Sequence, residues 1–269
     1  MPRVKVSDIE MHYDEVGSGP PLLISTGWAR AERAFVQHRE LLASRYRCIR
    51  HDHRGIGASD APDAPYSIEM LADDLAGLLD ALDIERCRVL GGGGMGALVG
   101  MELAIRHPDR VSALMLGSPC LKVDNFLRQI MAMWKDLRRL DPVLWAREVT
   151  FWCYTPDTFN QRPEIAEGAA RARGGEQTFP EPWAFDRLVD AYCAYDGTAR
   201  AGAIKCPTLI ANASEFDLIT GPRFAVEVQR AIPGSHLHIF ENTSHNFWVE
   251  RFDDWWNLTR DFFEAHGDE

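Results

Sequence analysis

The chain has 269 residues, 46% of them apolar and 26% charged, with a formal net charge of −11. That length buries a substantial core, and that composition excludes a disordered chain. The negative charge excludes the concentrated basic surface that nucleic acid requires and any polybasic attraction to anionic lipid.

Val4 and Val6 alternate with polar residues, and a second strand is expected from Met11 to Val16 before the turn at Gly17-Ser18-Gly19-Pro20. Pro21 to Ser25 forms a short apolar run, residues 31 to 43 have helical spacing, and Cys48 to His51 reads as another strand. Ser67 is placed to cap a helix whose face carries Met70, Leu71, Leu75, Leu78, Leu79 and Leu82. Next come a strand at Cys87 to Leu90, a glycine cluster, a helix ending at His107 before Pro108, and a strand from Val111 to Leu116. Between about Leu121 and Arg200 the rhythm breaks into a helical stretch rich in aromatic residues. The alternation then resumes with a strand at Pro207 to Asn212, a helix at Gly221 to Ile232, a strand at His236 to Phe240 and a helix at Phe247 to Ala265. Strands alternating with helices of this length predict an α/β protein with a mostly parallel sheet covered on both faces.

The segment Gly91-Gly92-Gly93-Gly94-Met95-Gly96 joins a strand to a helix. Gly91, Gly93 and Gly96 satisfy G-x-G-x-x-G, but a dinucleotide fingerprint belongs to the opening strand–helix turn with an acid near the end of the next strand. Here several strands precede it and the next strand runs into Leu116-Gly117-Ser118-Pro119, so no nucleotide cofactor is expected.

The glycine cluster resembles the strand–helix elbow of the α/β-hydrolase superfamily, where G-x-S-x-G presents a serine nucleophile. Aligning the flanking small residues at Gly92 and Gly96 puts Gly94 at the nucleophile position and Met95 at one oxyanion-hole position. The family order is nucleophile, acid, histidine. Asp217, in Glu215-Phe216-Asp217 after a strand, matches the acid, with Glu215 as the fallback. His245, in Thr243-Ser244-His245, matches the histidine. Ser25-Thr26-Gly27-Trp28 matches the loop that supplies the second oxyanion donor, the N–H of Trp28, although threonine replaces the usual histidine. Asp52-His53-Arg54-Gly55-Ile56-Gly57-Ala58-Ser59 resembles the family's D-x-R-G-x-G-x-S turn.

The resemblance implies an eight-stranded, mostly parallel sheet flanked by helices. It divides the chain into a core at 1–120 and 201–269 and a helical lid at 121–200. Trp134, Trp152, Tyr154, Trp183 and Tyr192 of that lid are candidate pocket residues for a bulky apolar or aromatic small molecule. No metal is expected: His51 and His53 alternate on one strand but no third ligand has clear spacing. His236 and His238 are expected to pack. The six scattered cysteines, without a C-x-x-C pair, suit reduced thiols. No signal-type or bilayer-spanning stretch is evident, which gives the expectation of a cytoplasmic protein.

Three functions are compatible with a glycine at position 94. The parent is a serine hydrolase acting on an ester, thioester or lactone, inactivated at this position. Alternatively the chain is natively serine-less and uses His245–Asp217 as a general base for hydrolysis, C–C cleavage, lyase or cyclisation chemistry. The third is a ligand-binding protein without catalysis.

Overall fold

The computed structural model describes residues 2–28, 35–174 and 180–266. Eight strands form one sheet: β1 (Arg3–Val6), β2 (Ile9–Val16), β3 (Pro21–Ser25), β4 (Arg47–His51), β5 (Cys87–Gly91), β6 (Val111–Gly117), β7 (Thr208–Ala213) and β8 (His236–Phe240). Their order is β1-β2-β4-β3-β5-β6-β7-β8. β2 runs antiparallel to both β1 and β4, and every other pairing is parallel. The central strands are buried at every position in β5, β6 and β7. That explains why they read as unbroken apolar runs: both faces of a parallel sheet carry helices.

Strand β4 lies on one side of β3 and β5 on the other, so the chain reverses its direction of travel across the sheet between β3 and β5. At such a switch point the loops leaving the two carboxyl ends diverge and open a crevice. The Thr26–Trp28 loop and the glycine cluster are those two loops.

Helix α1 (Arg39–Ala43) follows a 3₁₀ turn at Val36–His38. The helical spacing expected from residue 31 is therefore met only from that turn onward, and residues 31–34 fall outside the described residues. α2 (Ile68–Ala81) starts where Ser67 accepts the Met70 N–H, the expected cap, and buries Leu71, Leu75, Leu78 and Leu79. α3 (Met95–Arg106) is buried on nearly every side from Met95 to Ala104, because it leaves the middle of the sheet. Between β6 and β7 stand α4 (Asn125–Leu140), α5 (Pro142–Cys153), α6 (Pro156–Gln161), α7 (Pro163–Gly174) and α8 (Pro182–Ala194). Asp124, Asp141 and Thr155 cap the first three through their side chains, and proline occupies the first turn of α5 to α8 or their starts.

α9 (Pro222–Ala231) precedes β8, and the expected closing helix is two helices, α10 (Phe247–Glu250) and α11 (Phe252–His266). Arg251 breaks them at φ −122 and ψ 57, a conformation no helix continues through. His236 and His238 do not pack as expected: β8 is the edge strand and both lie on its exposed side, His238 resting on Phe240 at 4.5 Å. Among the described residues no helix is long and apolar enough to cross a membrane. All six cysteines are free thiols.

Candidate active site

The elbow is built by glycines because side chains do not fit. A Cβ on Gly96 would lie 2.3 Å from the Ser25 carbonyl oxygen, so the first turn of α3 rests directly on the backbone leaving β3. Gly94, the residue before α3, has φ 67 and ψ −82, a left-handed conformation that costs any other residue strain. This is the geometry of a turn that lifts one residue above the sheet. Gly93 is also left-handed, at φ 66, and its α-carbon side faces Gly27, with the Gly27 nitrogen 3.4 Å from where a Cβ would sit. The Thr26–Trp28 loop therefore packs on the elbow, and Trp28 and Met95 both line the cavity there.

His245 follows β8 on a pinned loop. The Thr243 hydroxyl donates to the Phe240 carbonyl at 2.6 Å, the Ser214 hydroxyl donates to the Thr243 carbonyl at 3.0 Å, and the Ser244 hydroxyl donates to the Trp152 carbonyl at 3.0 Å. His245 Nδ1 donates to Asp217 Oδ2 at 3.0 Å. A carboxylate only accepts, so this bond assigns the proton to Nδ1 and leaves Nε2 with its lone pair. Asp217 is itself buried and oriented by the N–H groups of Ile219 at 2.8 Å and Thr220 at 3.0 Å. Thr220 adds its hydroxyl, 3.1 Å from Nδ1 and 3.4 Å from Asp217 Oδ2. A held carboxylate behind a histidine favours the imidazolium that forms when Nε2 takes a proton.

His245 and Gly94 open on one cavity of about 710 Å³, within the usual range for a small-molecule site. Trp28, Met95, Trp134, Tyr154 and Tyr192 line it, as do Phe35, Trp145, Phe185 and Trp248, which were not among the candidate pocket residues. Trp152 and Trp183 do not line it. Trp152 turns its ring toward Phe126 and donates its indole N–H to Glu148, because its place on α5 points away from the cavity. Trp183 is 42% exposed on a separate charged depression beside Arg187 and Asp186. Glu215, the fallback acid, is exposed, and the carboxylate bonded to His245 is that of Asp217.

Three further residues organise the site. Phe35 covers the elbow, its ring 2.7 Å from the Cβ position of Gly92 and stacked on Trp255 at 5.0 Å. The Glu250 carboxylate accepts the Thr155 N–H and hydroxyl at 2.9 and 2.8 Å, the Thr158 hydroxyl at 2.6 Å and the Ser244 N–H at 2.7 Å. It thereby ties the inserted helices to the residue preceding His245. His53 sets the loop before Trp28: its Nε2 lies 3.2 Å from the Thr26 carbonyl. Burial pushes His53 down to about 4 and His51 also downward, so both rings, 3.3 Å apart, are neutral packing groups. Among the described residues no cluster of three or more His, Cys, Asp or Glu side chains is arranged to hold a metal.

The alpha/beta hydrolase fold family matches residues 20–252. RutD of Azorhizobium caulinodans, named as a candidate carbamate hydrolase, is 28% identical over 248 residues, 92% of each chain. The enol-lactonase of Burkholderia xenovorans superposes with a TM-score of 0.87 at 26% identity, covering 98% of this chain and all of that one. A thermophilic esterase from Thermogutta terrifontis gives 0.84 at 25% identity, covering 98% of this chain and 99% of its own. With the eight-stranded sheet and the elbow described above, these matches establish that the chain is a hydrolase-fold enzyme and belongs to the α/β-hydrolase family.

Proposed function

We propose that the chain cleaves an ester, thioester or lactone of a bulky apolar substrate above Gly94, with water taking the place of a serine. The observation that carries this reading is the intact His245–Asp217 pair facing an apolar cavity whose nucleophile position has no side chain. His245 Nε2 removes a proton from water as it attacks the carbonyl carbon. The backbone N–H groups of Trp28 and Met95 receive the developing oxyanion, and the imidazolium returns the proton to the leaving oxygen or sulfur. No covalent intermediate forms. The helices of 121–200 act as a lid, and their aromatic residues hold the apolar part of the substrate. The relatives named as an enol-lactonase and an esterase support this substrate class.

Tyr192 favours a native glycine. Its hydroxyl stands 3.3 Å from the place a Cβ on Gly94 would occupy, tighter than ordinary contact, so a side chain there would crowd the phenol. A second reading rests on the elbow itself, which keeps the raised, left-handed backbone of a nucleophile position. In that reading the chain is an inactive form of a serine hydrolase.

The experiment is turnover of an aryl-ester and lactone panel by the protein and by His245→Ala, with rapid-quench detection of the leaving group. Turnover without a burst, lost in His245→Ala, is the expected result. Unchanged turnover in His245→Ala overturns the proposal. An inert protein that becomes active and labels with a fluorophosphonate as Gly94→Ser supports the second reading instead.

A further inference from the structure

Two arginines enter the largely apolar cavity from the inserted helices, where Glu164 also lies on the lining but is exposed and pairs with neither of them among the described residues. Arg162, between α6 and α7, and Arg173, in the last turn of α7, both line it. Neither forms an ion pair with a described residue. Arg162 reaches the Thr158 hydroxyl at 3.5 Å, and Arg173 Nη1 donates to the Thr150 hydroxyl oxygen at 2.8 Å. Thr150 is buried and donates its own proton to the Ala146 carbonyl at 2.7 Å, so its oxygen is held as an acceptor and fixes the guanidinium. The positive charge of Arg173 reaches Tyr154 and Cys153, where it opposes the upward push of burial on both. Those two residues abut the catalytic loop, since the Asn246 N–H donates to the Cys153 carbonyl at 3.0 Å. The arginines thus line the same cavity as His245.

Placing two half-buried cations in a largely apolar pocket is unfavourable without an anion in contact with them, and the exposed Glu164 makes no such contact among the described residues. The remaining N–H groups of a guanidinium anchored at one nitrogen form a fork that suits the two oxygens of a carboxylate. We propose that Arg162 and Arg173 form a carboxylate subsite, so that the substrate is an apolar acyl compound bearing a free carboxylate away from the bond that is cleaved. This deepens the hydrolase reading and rests on it for the identity of the substrate, while the binding of the anion is independent of turnover.

The test uses 4-phenylbutyrate and its uncharged analogue 4-phenylbutanamide, with quenching of the tryptophans that line the cavity as the readout. The acid is expected to bind about tenfold or more tightly than the amide, and Arg173→Gln and Arg162→Gln each to remove most of that preference. Unchanged amide affinity in both variants shows the cavity intact. Arg173→Lys, which keeps charge without the fork, is expected to retain part of the preference. Equal affinity for acid and amide in the unaltered protein, or a preference that survives both glutamine variants, overturns the subsite. A preference that is present in a protein inert to every ester and lactone overturns the hydrolytic reading alone.

Discussion

The phenolic oxygen of Tyr192 lies 3.3 Å from the point at which a side chain on Gly94 would begin. Tyr192 is buried on α8, with Trp28 edge-on to its ring at 5.5 Å and Cys120 Sγ 3.7 Å from its hydroxyl. Burial raises the phenol well above its ordinary range and keeps it a neutral donor. Residue 94 and residue 192 are therefore a coupled pair, one from the core and one from the insertion.

That coupling makes Gly94→Ser informative. The left-handed backbone and the Tyr192 contact together predict a loss of stability of about 1–3 kcal/mol. Tyr192→Phe removes the oxygen and is expected to restore part of it. Chemical denaturation of the two single variants and the double variant checks this, and strictly additive changes would refute the coupling.

Asp217→Asn is expected to lower turnover by about 10⁴-fold while leaving the fold intact, because the amide permits the wrong His245 tautomer. The effect should fall on kcat, since Asp217 is buried behind the histidine and does not line the cavity. Steady-state kinetics on any cleaved ester decides it, and a change confined to KM would contradict the assigned role.

Glu250→Gln replaces an anion that accepts four hydrogen bonds with a neutral group that can accept them at only one oxygen. Loss of the charged acceptor toward the Ser244 N–H predicts destabilisation of about 1.5–3 kcal/mol. Because Glu250 joins the insertion to the catalytic loop, amide exchange at Ser244 and His245 should accelerate more than exchange in the sheet. Uniform acceleration would point to global loss of stability instead.

The buried histidines set a pH dependence of stability. His38 is held down to about 4 by burial, and His53 likewise. Unfolding exposes them to their ordinary value of 6.5, so between 6.5 and about 4 the unfolded chain binds more protons than the folded one. Their contribution is present above 6.5 and is lost progressively as the pH falls to about 4. Thermal melts across that window should show a falling midpoint. His38→Phe, which keeps the stack on Phe252 (4.1 Å in the native ring), should flatten the fall by up to one proton, and an unaltered slope would remove His38 from the account.

Thiol reactivity follows from the same burial. Cys48 and Cys153 are pushed up to about 11, and Cys87 and Cys120 to about 12, by loss of water around the thiolate. Only the half-buried Cys193 and Cys206 should react with a thiol reagent in the native state, and slowly, whereas all six should react in denaturant. Fast native labelling of a third cysteine would contradict this.

The alternation of strands and helices and the Ser67 cap were legible in the sequence because local periodicity and cap chemistry dictate them, and the ordered elbow, acid and histidine segments were legible through their resemblance to the family. Gly94, Asp217 and His245 were named from resemblance to the family's elbow, acid and histidine segments, and the folded chain brings Asp217 to His245 and opens His245 and Gly94 on one cavity. The lid aromatics were not separable that way. Whether a helical tryptophan faces the cavity, as Trp134 does, or a charged outer surface, as Trp183 does, depends on how α4 and α8 rotate against their neighbours. Periodicity gives a face but not what that face meets. Nothing local distinguishes Glu250 or Phe35, whose partners lie far along the chain, or marks Arg162 and Arg173 as facing a cavity. What only the tertiary structure decided is the relation between Gly94 and Tyr192. Their separation in sequence is bridged by packing of the insertion over the sheet, which sets Tyr192 against the position a side chain on residue 94 would take.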